Sequence, residues 1–394
     1  MIKNFWPRVK LKVEYITRKN YAKVLKWRKN RSKLAQDIIV LTPAETPEEV
    51  KVEIYRRFGF FFPNLNKNDL KFKSKLLPKN YISPTPILTY GNLKEATGLL
   101  WRVHPGVHSI DQTKNPTDGW AWFDAATNYY PDVDLQPGKI RLEKEIIRLR
   151  SLGFEKCYLF GTGPSLERAS TRQWDDGLRV VCNTIVRDKI LWDHIDPHLF
   201  VAGDAIYHFG FTEFACAFRS DLKLRMAESK VLFLYPSYFD SLIRREFAEF
   251  AERLVPIPTG THTNIHISFS DNFATPAMPN VLNKLLLPVG CNLSRKVCLW
   301  GFDGRAPKDV MFWANSAKQS YSELMPHLTE AHPAFFDEMV PKSAPEKYVQ
   351  TVHGDLLENC LSNAEAQGWT FEMLHPTWTP TLSKRLSPNL KPLI

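Results

Sequence analysis

The chain has 394 residues, of which 44% are hydrophobic and 24% charged, with six cysteines and a net charge of +10. This composition excludes a low-complexity, fibrous or disulfide-stapled chain and fits one large or two medium α/β-sized domains. No apolar run approaches the roughly 20 residues that span a bilayer, and the N-terminus has neither an h-region nor a small-residue cleavage site, so the expected location is cytoplasmic.

Residues 1 to 40 carry twelve Lys or Arg against Glu14 and Asp37, a local net charge of +10 that equals the charge of the whole chain. The basicity is therefore a segment, not a surface. Phe5, Trp6, Tyr15, Tyr21 and Trp27 are interleaved with the cations, the pattern of a helix lying on an anionic membrane face; a solvated helix docked on the protein has the same pattern. Such a membrane contact would be peripheral. No nucleic-acid-binding module accompanies the charge, and nucleic acid is not an expected partner.

A short strand is predicted at 37–42, then a Pro-Glu-rich turn, then an aromatic, proline-rich stretch from Phe58 to Pro131. Residues 1–135 read as an irregular basic extension, and residues 136–394 as the catalytic domain. The Asp132-Val-Asp134 pair has the D-x-D spacing that chelates a divalent ion, but it precedes the first strand of the main sheet and reads as a solvated turn. No metal is expected, and no cofactor. Glu143 to Leu152 has a helical period, with Ile146, Ile147, Leu149 and Leu152 along one flank and Gly153 as its stop.

From residue 156 strands and helices alternate. Apolar runs at 156–160, 178–182, 198–202, 230–235, 254–258, 296–301 and 369–374 predict about seven parallel strands covered on both faces. Helices are predicted at 241–253, 277–287 and 355–367. The first strand runs into Gly161-Thr162-Gly163-Pro164-Ser165, where uncovered N–H groups and a following helix, capped by Ser165, make a seat for a phosphate. The second strand ends in Asn183, at the edge where open parallel sheets bind ligands.

After Gly301-Phe-Asp-Gly304 come about fifty residues with little helix or strand signal, rich in Pro, His, Tyr and Phe; the segment 304–352 reads as a lid over the site. His353 follows it, just before a helix. Its imidazole is either a general base or a surface histidine, and His332 and His375 are the other histidines to weigh. The cysteines, at 157, 182, 216, 291, 298 and 360, have no C-x-x-C spacing and read as reduced core residues.

Gly161-Thr-Gly-Pro-Ser-Leu166, Cys182-Asn183 and Phe200-Val-Ala-Gly-Asp204 resemble, in this order, the bacterial sialyltransferases of lipooligosaccharide synthesis, glycosyltransferase family 42. Asn272-Phe-Ala-Thr-Pro-Ala277, leading into Lys296-Val-Cys-Leu-Trp-Gly-Phe-Asp303, extends the resemblance, which covers residues 154 to 380. The opening turn is also similar to the domain-of-unknown-function 115 proteins, which include archaeal pterin diphosphokinases and flagellar accessory glycosyltransferases. Thr162 and Asp204 depart from the asparagines usual in the sialyltransferases.

The resemblance implies an α/β fold with a single Rossmann-like sheet, a variant of GT-A, and an inverting, metal-independent transfer of sialic acid or a related keto-sugar such as Kdo. The donor would be a CMP-sugar and the acceptor a bacterial glycan or glycolipid. It implies His353 as the catalytic base, and nucleotide contacts from the Gly161–Ser165 turn, Asn183, Asp204, Thr275 and the lid tyrosines Tyr321 and Tyr348. The alternatives are a diphosphokinase that shares the opening turn and a non-catalytic module docking to membrane through its basic arm.

Overall fold

The computed structural model describes residues 37–76, 85–91, 106–306, 316, 318–339, 350 and 354–393. The basic arm up to residue 36, Tyr348, His353 and much of the segment read as a lid lie outside the described residues. Two compact units divide the chain: one runs to Asp132 and takes in His332–Phe336, the other comprises Val133–Ala331 and Asp337–Ile394.

The first unit is not the irregular extension expected from its sequence. Strands β1 (Ile38–Leu41), β2 (Leu70–Lys73), β3 (Ile87–Thr89) and β4 (Val107–Ser109) form a parallel sheet in the order β2-β1-β3-β4. Helix α1 (Glu48–Phe61) starts with Glu48 and Glu49, whose charges suit the positive end of its dipole. Its Phe61 stacks on Trp122 of helix α2 (Asp118–Tyr129), ring centroids 5.4 Å apart. Arg57 of α1 is buried, and its guanidinium meets Asp118 at 2.9 Å and Glu53 at 2.8 Å. His332, also buried, places Nδ1 2.8 Å from Asp118. A buried carboxylate with these partners is compensated, which an isolated one would not be.

The second unit holds seven parallel strands, in agreement with the number read from sequence: β5 (Lys156–Phe160), β6 (Leu178–Cys182), β7 (Leu199–Val201), β8 (Leu232–Pro236), β9 (Leu254–Ile257), β10 (Lys296–Trp300) and β11 (Thr370–Met373). Their order is β11-β10-β5-β6-β7-β8-β9. This is a Rossmann-like α/β arrangement consistent with a GT-A type of fold, but the chain carries a second, smaller sheet besides it.

Side chains along each strand alternate between two buried faces. Cys157, Leu159, Val180, Val201, Leu234, Val297 and Leu299 share one apolar core with Leu142 and Leu149 of helix α3 (Gln136–Arg150). Leu357, Leu361 and Ala364 of the helix Leu356–Glu365 join the same core, as its sequence pattern predicts. The opposite face is aromatic: Tyr158 and Phe160 pack edge-on to Trp174, and Phe200 lies between Phe218 and Phe233.

Two helix expectations change. Ile147 and Leu152 are exposed, at 68% and 47%, so α3 buries the stripe through Leu142, Ile146 and Leu149 instead. The helix predicted at 277–287 starts later and runs further. Asn280, at φ +56°, precedes a π-helical turn, Leu282–Leu286, that continues as an α-helix over Leu287–Leu293. Pro276 and Pro279 keep the residues before it out of the helix.

Candidate functional site

The sheet order reverses at β5 and β10. The chain leaves β5 towards β6 on one side, and leaves β10 towards β11 on the other. In open parallel sheets such a switch point opens a crevice at the carboxyl ends of the two strands, where ligands bind. The Gly161–Ser165 turn follows β5, Gly301–Asp303 follows β10 and His375 follows β11, so all three meet there.

The glycines are demanded by the crossing of two backbones. Gly161 donates its N–H to the Trp300 carbonyl at 2.7 Å, and Gly163 to the Gly301 carbonyl at 2.8 Å. A Cβ on Gly161 would lie 2.5 Å from the Gly301 oxygen, and one on Gly163 would lie 2.2 Å from Asp303 Oδ2. Gly301 has φ +81°, and a Cβ there would come 2.2 Å from the Gly161 oxygen.

The N–H groups expected to seat a phosphate are thus engaged from within the chain. Ser165 donates its N–H to both Asp303 oxygens, at 3.2 and 3.1 Å. Its hydroxyl lies 2.8 Å from Asp303 Oδ2 and 2.7 Å from His375 Nε2. Ser165 does not cap the helix as its sequence position predicts: Gly163 occupies the N-cap of a 3₁₀ helix, Pro164–Thr171, and no side chain caps it. The anion at this helix start is the Asp303 carboxylate.

His375 Nε2 also accepts the Gly301 N–H at 2.9 Å, while Nδ1 lies 2.8 Å from the Pro376 carbonyl. These partners assign the neutral tautomer with the proton on Nδ1. Burial pushes the His375 pKa below the usual histidine range, with Asp303 and the Pro376 carbonyl pulling it partly back. Ser165 and His375 are both only 2% exposed. A buried hydroxyl and an imidazole already holding a backbone N–H make a lock between strand ends, not a nucleophile and its base.

Further along the same edge, Asn183 begins the segment after β6 at φ +54°. Its buried Oδ1 has no hydrogen-bond partner among the described residues. A strained backbone and an orphaned buried acceptor together are marks of a ligand contact. Asp204, after β7, uses Oδ1 to accept the Ile206 and Tyr207 N–H groups at 2.8 and 2.7 Å, and so shapes its own loop.

Thr275 is fully buried, pairs with Thr259, and sends its N–H to the Pro258 carbonyl at 2.8 Å. Thr162 offers its carbonyl to the Ser316 N–H at 2.8 Å, and the Ser316 hydroxyl reaches Glu167 at 2.7 Å.

The described part of the segment read as a lid has regular structure of its own: a 3₁₀ turn Ser322–Leu324, a helix Met325–Ala331 and a π-helical turn Phe335–Met339. Such short helices, interrupted by Pro326 and Pro333, leave little period in the sequence. Tyr321 is 3% exposed, donates its hydroxyl to Asp221 at 2.5 Å, and carries the Arg187 guanidinium over its ring at 4.7 Å. Burial, then Asp221, raise its pKa far above the tyrosine range. Asp134 Oδ1 accepts the Gln136 N–H at 3.0 Å, and no group of three or more His, Cys, Asp or Glu side chains suited to a metal occurs among the described residues.

No family model, curated protein or solved structure matches this chain. Asp303 was legible as the end of a strand motif and as an acidic residue that the alternative diphosphokinase would use, but not as the partner of Ser165, which lies 138 residues away. Lys284 escaped notice altogether, although a lone cation inside the apolar run Val281 to Val289 is a signal that could have found it. Among the described residues no helix is long and apolar enough to cross a membrane.

Proposed function

We propose that this protein is a glycosyltransferase that moves an acidic keto-sugar, of the sialic acid or Kdo class, from a CMP donor to a glycan or glycolipid acceptor. The observation that carries this reading is the row of loops on adjacent parallel strands. Gly161–Ser165 after β5, Asn183 after β6 and Asp204 after β7 line the carboxyl edge that begins at the switch point. That spacing suits a nucleoside laid across strand ends.

In this reading His353, which precedes the helix Leu356–Glu365 in sequence, takes the proton from the acceptor hydroxyl as its oxygen attacks the anomeric carbon. The bond from that carbon to the CMP phosphate breaks, with inversion, and CMP leaves. Asn183 accepts a hydrogen bond from the nucleotide. The proposed mechanism needs no metal, since a monophosphate leaving group carries less charge than a diphosphate. The basic arm over residues 1–40 would hold the enzyme at an anionic membrane surface, where glycolipid acceptors are presented.

A thermal-shift panel of CMP, CDP, UDP, GDP and ATP tests the reading, because stabilisation grows with ligand concentration over Kd. CMP should stabilise most. With a CMP-sugar as donor, His353→Ala should keep donor binding and lower turnover by about 10²-fold. A preference for ATP or a diphosphate would overturn the glycosyltransferase reading in favour of a phosphotransferase.

A further inference from the structure

The Gly161–Ser165 turn is already occupied by the Asp303 carboxylate, so an anionic ligand at this edge needs a cation from elsewhere. We propose that Lys284 supplies it, forming with Asn280 and Asn183 a subsite for the phosphoryl group of the bound nucleotide. The inference rests on the glycosyltransferase reading for the choice of CMP, but not for the phosphate.

Lys284 sits in the π-helical turn Leu282–Leu286. Such turns are rare and recur at functional sites. Leu285 on the same turn lies against Gly203, where a Cβ would come 3.3 Å from Leu285 Cδ1, and Gly203 immediately precedes Asp204. Strand β6, which ends at Cys182 just before Asn183, packs on this turn as well. The turn is thereby set at the carboxyl end of β7 and against β6.

The Lys284 ammonium is half-buried, yet it makes no ion pair or side-chain hydrogen bond with any described residue. Burial pushes its pKa below the usual lysine range, and Asp204 pulls it only partly back. Asp204 is near enough for its charge to be felt by Lys284, but the two do not form an ion pair with each other. A partly desolvated cation left in this way lowers the stability of the free protein, and an anion would relieve it.

Asn280 strengthens the assignment. It stands four residues earlier, one turn back on the same helix start, and its carbonyl accepts the Lys284 N–H at 3.1 Å. Its Oδ1 accepts the Asn283 N–H at 2.9 Å, while its buried Nδ2 has no partner among the described residues. The helix start thus presents an amide donor and an ammonium that no described residue pairs, both suited to phosphate oxygens. The orphaned Oδ1 of Asn183 provides the complementary acceptor, which fits an amine or hydroxyl of the same ligand.

The test titrates the full chain and its Lys284→Met and Lys284→Arg variants with inorganic phosphate, CMP and cytidine, by calorimetry and thermal shift. Phosphate and CMP should bind the wild type; Lys284→Met should weaken CMP at least tenfold, abolish stabilisation by phosphate and leave cytidine within twofold. Its melting temperature without ligand should equal or exceed that of the wild type, which a purely structural lysine would not allow. Lys284→Arg should bind CMP within about threefold.

Equal CMP and phosphate binding by wild type and Lys284→Met would overturn the assignment, as would a wild type that binds neither. Phosphate binding that depends on Lys284, without preference for CMP over other nucleotides, would uphold the subsite and remove the glycosyltransferase reading instead. Should Lys284→Met not fold, Lys284→Gln carries the same expectations.

Discussion

Asp303 and Ser165, 138 residues apart, are joined by three hydrogen bonds, two from the serine N–H and one from its hydroxyl. The carboxylate holds the start of the helix after β5 against the end of β10. Asp303→Ala removes charge-assisted hydrogen bonds from a part-buried group, and the expected loss is about 2 kcal/mol. Urea denaturation should show a lower midpoint; a midpoint equal to that of the wild type would mean that the contact contributes nothing to the fold.

Two glycines at positive φ separate close approach from backbone conformation. Gly301 (φ +81°) faces the Gly161 carbonyl, whereas Gly153 (φ +76°) faces open space. Gly153→Ala should cost about 1–2 kcal/mol, the left-handed penalty alone. Gly301→Ala adds an overlap with backbone and should cost roughly 1–3 kcal/mol more. Thermal melts of the two variants side by side give the difference, and equal losses would show that the strand ends can move apart.

Acid should weaken the second unit through its buried neutral histidines. Burial lowers the pKa of His208 to about 3, and that of His198 to about 4 with Arg179 adding to the effect. For a group whose folded pKa lies below the unfolded value of 6.5, the unfolded chain binds more protons between the two. Stability is therefore full above pH 6.5 and is lost as pH falls towards 4 and 3, at about 1.4 kcal/mol per pH unit for each such group. His208, against Phe209 and Phe218, can be replaced by Phe with little change in shape. His208→Phe should flatten the loss measured by urea midpoints between pH 6.5 and 4, and an unchanged slope would assign the acid sensitivity elsewhere.

The main sheet was legible because each strand is a short apolar run of five or so residues bounded by turns, a pattern that only two-sided burial produces. The first sheet was legible only in β1, which lies within the strand predicted at 37–42. Its strands are three or four residues long, and α1 ends in three phenylalanines, Phe58, Phe60 and Phe61, with Phe62 as its C-cap, which masks the period. At the site, Gly161, Gly163 and Asn183 were found because glycine and a polar strand end are local signals. Asp303 in the expected phosphate seat, Tyr321 turned to Asp221, and the unpaired Lys284 are consequences of contacts made across long stretches of chain, which no local pattern encodes.

His332–Phe336 belong to the first unit although more than 190 residues of the second precede them. The chain therefore passes from one unit to the other three times, at 132–133, 331–332 and 336–337. During synthesis the first unit lacks the histidine of its buried Arg57–Asp118–His332 cluster until residue 332 has been made, by which time six of the seven strands of the larger sheet have been synthesised. Its completion is a late event in assembly, despite its place at the N-terminus. A fragment that begins at Val133 would carry His332–Phe336 without the residues that bury them, so the two units are not separable by one cut.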